Sequence, residues 1–236
     1  HLSLRRQRQM CIRDRSYQIA SQGLIDGGVD ALLIETTQDL LQAKAAVIGA
    51  KDAIGDRDIV LIAQVTIETN GTMLVGSEIG AALNSLGNLG IDLIGLNCAT
   101  GPTEMSEHLR YLSQNSSIPI SCMPNAGLPV LINGGATYPL GPIEMADSLA
   151  NFVNQYGVKL VGGCCGTTPE HLEAIVKKVQ LTKNRKSNIP LESESGASSI
   201  YQFVPFRQDQ TYLAIGERAN ANGSKAFRDA LLAEDW

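Results

Sequence analysis

Five short, near-continuous apolar runs recur along this chain at intervals that suit one helix between each pair. They are Ala31–Glu35 (ALLIE), Ile59–Thr66 (IVLIAQVT), Asp92–Cys98 (DLIGLNC), Ile118–Met123 (IPISCM) and Lys159–Cys164 (KLVGGC), with starts 28, 33, 26 and 41 residues apart. A strand covered on one face alternates apolar and polar residues, whereas a parallel strand covered on both faces reads as an unbroken apolar run. The spacing is that of βα units. The intervening stretches carry helix punctuation. Thr37–Lys51 is rich in Ala, Leu and Lys, and Pro102 and Pro142 stand where proline opens a helix, towards Gln114 and Gln155. Thr168–Pro169 supplies an N-cap and first-turn pair for His171–Gln180. The expected class is α/β, as a (β/α)8 barrel or a doubly wound sheet.

Composition supplies exclusions. At 236 residues and 44% hydrophobic content the chain can bury the core of one domain with an appendage. A formal charge of −5 argues against a nucleic-acid binder, which would carry a basic face. No apolar run approaches the roughly 18 residues that cross a bilayer, so no membrane partner is expected. No secretory pattern opens the chain, so its five cysteines read as thiols, metal ligands or catalytic groups, and a cytoplasmic enzyme is expected.

Both ends differ from the middle. Residues 1–15 hold Arg5, Arg6, Arg8, Arg13 and Arg15 without a hydrophobic period, and are expected to be a non-native leader foreign to the fold; the rival reading is a native basic arm. Thr182–Ser199 is polar and Ser-rich, which reads as linker. Tyr212–Ile215 then looks like a fresh strand, followed by a turn over Gly216–Gly223 and a helix from Ser224, the opening of a second domain.

Three cysteines stand at expected strand ends: Cys98 closes GLNC, and Cys164 and Cys165 sit in VGGCCG. In a βα barrel the carboxyl ends of the strands form one mouth, where residues this far apart in sequence can converge. Adjacent cysteines do not readily bond to each other, but both thiolates can reach one metal. Three thiolates with a fourth position open describe a reactive zinc site, and Gly162, Gly163 and Gly166 leave space around the pair. The plainer reading, small buried hydrophobes, suits a lone Cys98 better than it suits a CC pair among glycines. Cys122 reads as core, and Cys11 belongs to the suspect leader. A thiol substrate attacks a methyl donor as thiolate, and Zn²⁺ coordination removes its proton while leaving sulfur nucleophilic.

The runs GLNCATGP (Gly95–Pro102), MPNAGLP (Met123–Pro129) and VGGCCGTTPEH (Val161–His171) resemble the homocysteine S-methyltransferase family, over about Gly23–Gln180. The resemblance implies a (β/α)8 barrel with Zn²⁺ held by Cys98, Cys164 and Cys165. It also implies that Glu35 holds the homocysteine amino group, and that Asn97 supports the substrate site by hydrogen bonding; a helix-initiating acid and a structural amide are the respective alternatives. Asn125–Gly127 would rim the mouth or form a simple turn. The tail IGERANANGSKAFRDALLAEDW resembles the start of the pterin-binding domain that follows the homocysteine barrel in cobalamin-dependent members, although Ala219 stands where their run GERTN has Thr, and Asn220 is best read as a turn residue.

The implied organisation is a leader (1–15), the C-terminal part of a homocysteine-binding zinc barrel (16–181), a linker (182–211) and the start of a pterin-binding domain (212–236). About the last five βα units of the barrel would be present, without the DGAMGT-like opening turn, and such a piece alone is expected to be poorly soluble or inactive. The implied reaction methylates homocysteine to methionine. Methylcobalamin, carried by a cobalamin domain elsewhere in the chain, would donate the methyl group and 5-methyltetrahydrofolate would recharge it. A betaine- or S-methylmethionine-dependent enzyme and a purely structural zinc module are the alternatives. His108 and His171 read as surface or packing residues, Glu68 and Thr69 as ordinary loop polarity, and Asp26–Gly28 as lying on the stabilising face of the barrel.

Overall fold

The computed structural model describes residues 2–132, 134–182, 194–207, 209, 212 and 222–235, and divides into two units, 1–204 and 205–236. In the first unit, helix α1 (Leu2–Asp26) leads into five βα repeats. Their strands are β1 (Ala31–Thr37), β2 (Val60–Val65), β3 (Leu93–Asn97), β4 (Ile120–Met123) and β7 (Leu160–Val161). They form one sheet in the order β1-β2-β3-β4-β7, with every neighbouring pair parallel. All five apolar runs are therefore strands, side by side in chain order, and their carboxyl ends lie along one edge.

The helices α2 (Leu40–Ile54), α3 (Ile79–Gly87), α4 (Pro102–Asn115), α5 (Pro142–Tyr156) and α6 (Pro169–Gln180) follow the strands in turn. Local chemistry sets where they begin. The Asp39 carboxylate accepts from the Leu41 and Gln42 amides, capping α2. Proline occupies the first position of α4, α5 and α6, where the missing N–H costs nothing. The core lies between sheet and helices and is aliphatic: Val47, Leu61, Ile94, Leu96, Leu109, Leu112 and Leu149 are fully buried, and Met73 and Met145 fill the gaps.

Three features differ from the sequence expectations. Helix α1 runs without a break through residue 15, and a side chain at Gly49 in α2 would collide with the backbone of Asp14 and Gln18. The leader boundary therefore falls inside a helix docked closely on α2. Second, the stretch expected to be linker holds a two-stranded sheet, β8 (Gly196–Ser198) with β9 (Phe203–Pro205). Its turn is tied to the start of α3: the Glu78 amide donates to the Tyr201 carbonyl and the Ser77 hydroxyl to that of Ile200. The polar stretch 182–199 hid the first strand, although the second lies in the apolar run IYQFVPF (200–206), whose Phe203 packs against Gly196 and Gly80. Third, an antiparallel hairpin, β5 (Val130–Ile132) and β6 (Gly135–Thr137), stands between β4 and α5.

In the second unit, α7 (Lys225–Ala233) is capped by the Ser224 hydroxyl, which accepts from the Phe227 amide. Of the expected strand at 212–215 only Tyr212 is described, outside any strand; 213–215 and most of the turn after them lie outside the described residues. Among the described residues no helix is long and apolar enough to cross a membrane.

Candidate metal centre

Strand β3 ends at the buried Asn97, and the next two residues turn sharply: Cys98 and Ala99 have φ of 61° and 58°. Left-handed backbone at two successive non-glycine residues is strained by about 1–3 kcal/mol each, and it persists only where the surroundings enforce it. Here the Cys98 amide donates to the Met123 carbonyl and the Thr100 amide to that of Cys98. The loop after β7 is fixed in the same way. The Cys164 amide donates to the Pro124 carbonyl, and the Cys165 amide to the Asn125 side-chain oxygen at 3.0 Å. Asn125, a mouth or turn residue by sequence, thus orients the second cysteine of the pair.

These two loops bring the three sulfurs together. Cys98 Sγ lies 3.7 Å from Cys165 Sγ, Cys165 Sγ lies 3.9 Å from Cys164 Sγ, and all three are within 4.8 Å of one another. Three ligands about 2.3 Å from one tetrahedral zinc would be separated by about 3.8 Å. Two of the three spacings match that ion, and the third is bounded at 4.8 Å, so the donor set suits zinc. Cys98 and Cys164 are half-buried and Cys165 is exposed, so one side of the cluster is open. Among the described residues no His, Asp or Glu joins it. Desolvation first, then the neighbouring Cys98, pushes the Cys164 thiol up to about 12, so the metal-free cluster holds that proton tightly.

The expected substrate-site residues fall on the same edge, in different surroundings. Glu35 is exposed near the end of β1, where the pairing with β2 slips: Ile34 faces Ala63, but Thr37 faces Val65. The extra residue makes a bulge, with Thr36 at φ 56°. Asn97 locks that bulge. Its side-chain oxygen accepts from the Thr36 amide at 2.8 Å, and its Nδ2 donates to Thr36 Oγ1 at 2.8 Å and lies 3.9 Å from Cys164 Sγ. One fully buried amide thus joins the β1 bulge to a metal-site sulfur. Replacing it by alanine (Asn97→Ala) is expected to destabilise the metal-free protein by about 2 kcal/mol, since the Thr36 amide loses its acceptor, and to weaken metal binding about tenfold. Denaturant titration and chelator competition measure the two effects; no change in either would remove this role.

Two further residues were not assigned to the site from sequence. His171, expected at the surface or in packing, is 7% exposed. Its Nδ1 accepts from the Thr168 amide, capping α6, which leaves Nε2–H to donate to the Leu140 carbonyl at 2.9 Å. Tyr138 packs its ring where a side chain on Gly166 would stand, next to the cysteine pair, and desolvation raises its pKa. The available signal was Asn133–Gly134 between two short runs, the strongest two-residue hairpin mark, which would have announced the chain reversal that delivers Tyr138. Cys122 is buried beside Met105 Sδ at 3.9 Å and takes no part, as expected.

Fold and site together define a parallel α/β protein with a three-cysteine cluster, able to hold a metal ion, at the carboxyl edge of its sheet. Residues 13–179 match the profile of the family described as Homocysteine S-methyltransferase. The chain belongs to that family. It is 56% identical over 227 residues to methionine synthase of Mycobacterium tuberculosis and 53% identical over 232 residues to that of Mycobacterium leprae. Each alignment covers 95% of this chain and 19% of the relative, so the chain spans about a fifth of the length of these curated relatives. Among solved structures, the apo form of the homocysteine methyltransferase MmuM from Escherichia coli is similar at a TM-score of 0.55 and 20% identity, over 70% of this chain and 57% of that one. Its metallated form is similar at 0.52 and 21%, over 68% and 52%. At that identity the likeness concerns the fold.

Proposed function

We propose that this chain is the metal-bearing part of a cobalamin-dependent methionine synthase, in which Cys98, Cys164 and Cys165 hold Zn²⁺ and homocysteine sulfur takes the fourth position. The observation that carries this reading is the trio of sulfurs at tetrahedral spacing with one open side. Bound there, zinc supplies the Lewis acidity that makes a substrate thiol a thiolate at neutral pH. The chain's own residues do the rest. Asn97 and Asn125 fix the loops that present the sulfurs, and Glu35, carried on the β1 bulge, binds the substrate amino group. Residues 16–181 form the last five units of a (β/α)8 barrel; residues 182–211, including the β8–β9 sheet, connect it to a pterin-binding domain that starts near Tyr212. Methylcobalamin and 5-methyltetrahydrofolate act through domains of the complete protein, and three neighbouring reduced thiols suit a cytoplasmic setting.

A structural zinc site would need a fourth protein ligand, and none lies with the three sulfurs among the described residues. X-ray absorption at the zinc edge of the complete protein, with and without homocysteine, tests the choice. The expected result is three sulfur neighbours alone and four with homocysteine. Coordination that ignores homocysteine would overturn the proposal.

A further inference from the structure

Helix α6 opens on Thr168–Pro169–Glu170–His171, a capping pattern whose fourth position ordinarily holds Glu or Gln. A Glu there would serve the cap as well as a histidine does. The imidazole does more, because it is buried and both ring nitrogens are engaged. The Leu140 carbonyl, 2.9 Å from Nε2, can only accept, so Nε2 carries the proton and Nδ1 accepts from the Thr168 amide at 3.2 Å. The bond to Leu140 closes a ring. The Leu140 amide donates to the Ala126 carbonyl and the Ala126 amide to the Cys165 carbonyl, each at 2.9 Å. From Cys165 the chain itself returns to His171 through the start of α6. Pro124–Ala126 is also where the two cysteine loops meet. The Pro124 carbonyl and the Asn125 side chain accept from the Cys164 and Cys165 amides, and the Asn125 amide donates to the Thr100 carbonyl just beyond Cys98. The crossing 138–140 is seated on two glycines of positive φ. A Cβ on Gly166 would overlap the Tyr138 side chain, and one on Gly127 would press on Pro139 and Leu140.

We propose that His171 is a positioning residue of the metal centre: by tying the Leu140 carbonyl to the first turn of α6, it closes a hydrogen-bonded ring that holds the Cys164–Cys165 turn against Pro124–Ala126. The inference rests on the metal reading above. Without the bridge the crossing is free to lift from the turn that it backs, and the two sulfurs lose their shared orientation when the metal leaves. That order must then be restored on rebinding, at a cost in affinity. His171 acts through Leu140 and Ala126 and is no ligand, since among the described residues no His lies with the three sulfurs.

The test compares the complete protein as wild type, His171→Gln, His171→Glu and His171→Ala. Gln and Glu have nearly the same shape, and both supply an oxygen that can cap α6. Only Gln also offers an N–H to the Leu140 carbonyl. The zinc dissociation constant is measured against a chromophoric chelator, and the reaction of the metal-free cysteine pair with a chromogenic disulfide reagent is followed by peptide mapping. His171→Gln is expected to stay within about twofold of wild type, and His171→Glu to bind zinc about tenfold more weakly, with faster modification of Cys165. His171→Ala, which loses cap and bridge without adding a charge, is expected to bind at least as weakly as His171→Glu. Equal zinc constants for the Gln and Glu proteins, or a wild-type constant for His171→Ala, would overturn the role of the bridge while leaving the metal reading standing. Failure of the wild type to bind zinc would overturn both.

Discussion

In the complete protein, Cys165→Ala is expected to retain less than about a tenth of the zinc held by the wild type and, on the function proposed above, to lose homocysteine methylation with it. Apparent zinc binding of roughly 10–16 kcal/mol, shared over four ligands, assigns about 2.5–4 kcal/mol to each, or about two to three decades in the dissociation constant. No neighbour is placed to compensate, because among the described residues no His, Asp or Glu joins the three sulfurs. Cys98→Ala and Cys164→Ala are expected to behave alike, since the S···S spacings treat the three as one set. Cys122→Ala is the contrasting case. That thiol is buried against Met105, away from the cluster, so its loss is expected to lower stability by about 1–2 kcal/mol and leave the zinc content unchanged. Metal analysis after gel filtration, paired with thermal unfolding, reads both. A Cys165→Ala protein with full zinc would sink the site.

Gly95→Val is expected to have the largest effect on folding. Gly95 lies in β3 two residues before Asn97 and is paired with Ser121 of β4. A Cβ at this position would overlap the Ser121 carbonyl and hydroxyl oxygens. The backbone oxygen belongs to the strand ladder and cannot turn aside as a flexible side chain would, so β3 and β4 must separate. Overpacking of this kind costs about 3 kcal/mol or more, and the separation would move Cys98 away from the loops that carry Met123 and Asn125. The expected result is a lower denaturation midpoint with weakened zinc binding, both measurable by urea titration in the presence and absence of metal. A protein as stable as wild type would show that the strands can part at this point without cost.

The outlines of the site were legible because they sit in local, repeated signals. Parallel strands announce themselves as apolar runs, and prolines at 102, 142 and 169 each mark a helix start one residue after its cap. The CC pair among glycines after β7 was the strongest single pointer to chemistry. What escaped was held by partners remote in sequence. Helix α3 follows Glu78 at its N-cap, whose side chain makes no capping bond, so no cap residue announced it. Strand β8 hid in polar composition and its partner β9 in a short apolar run after it, and His171 looked ordinary because its partner, the Leu140 carbonyl, lies 31 residues away. Asn97 was expected to support the site by hydrogen bonding, and its partners, which sequence could not name, are Thr36 and Cys164.

From the order of its residues alone, this chain determined that it would build successive βα units and set three thiols at their ends, because periodicity, helix caps and ligand type are properties of short segments. Only the folded arrangement decided that those thiols stand at tetrahedral spacing, that Thr36 and Cys98 take left-handed backbone, and that Tyr138 and Asn97 flank the sulfurs. Each of these depends on distances between residues roughly 25 to 70 positions apart, and such distances are fixed by the register of the sheet and the path of its loops, which no local pattern encodes.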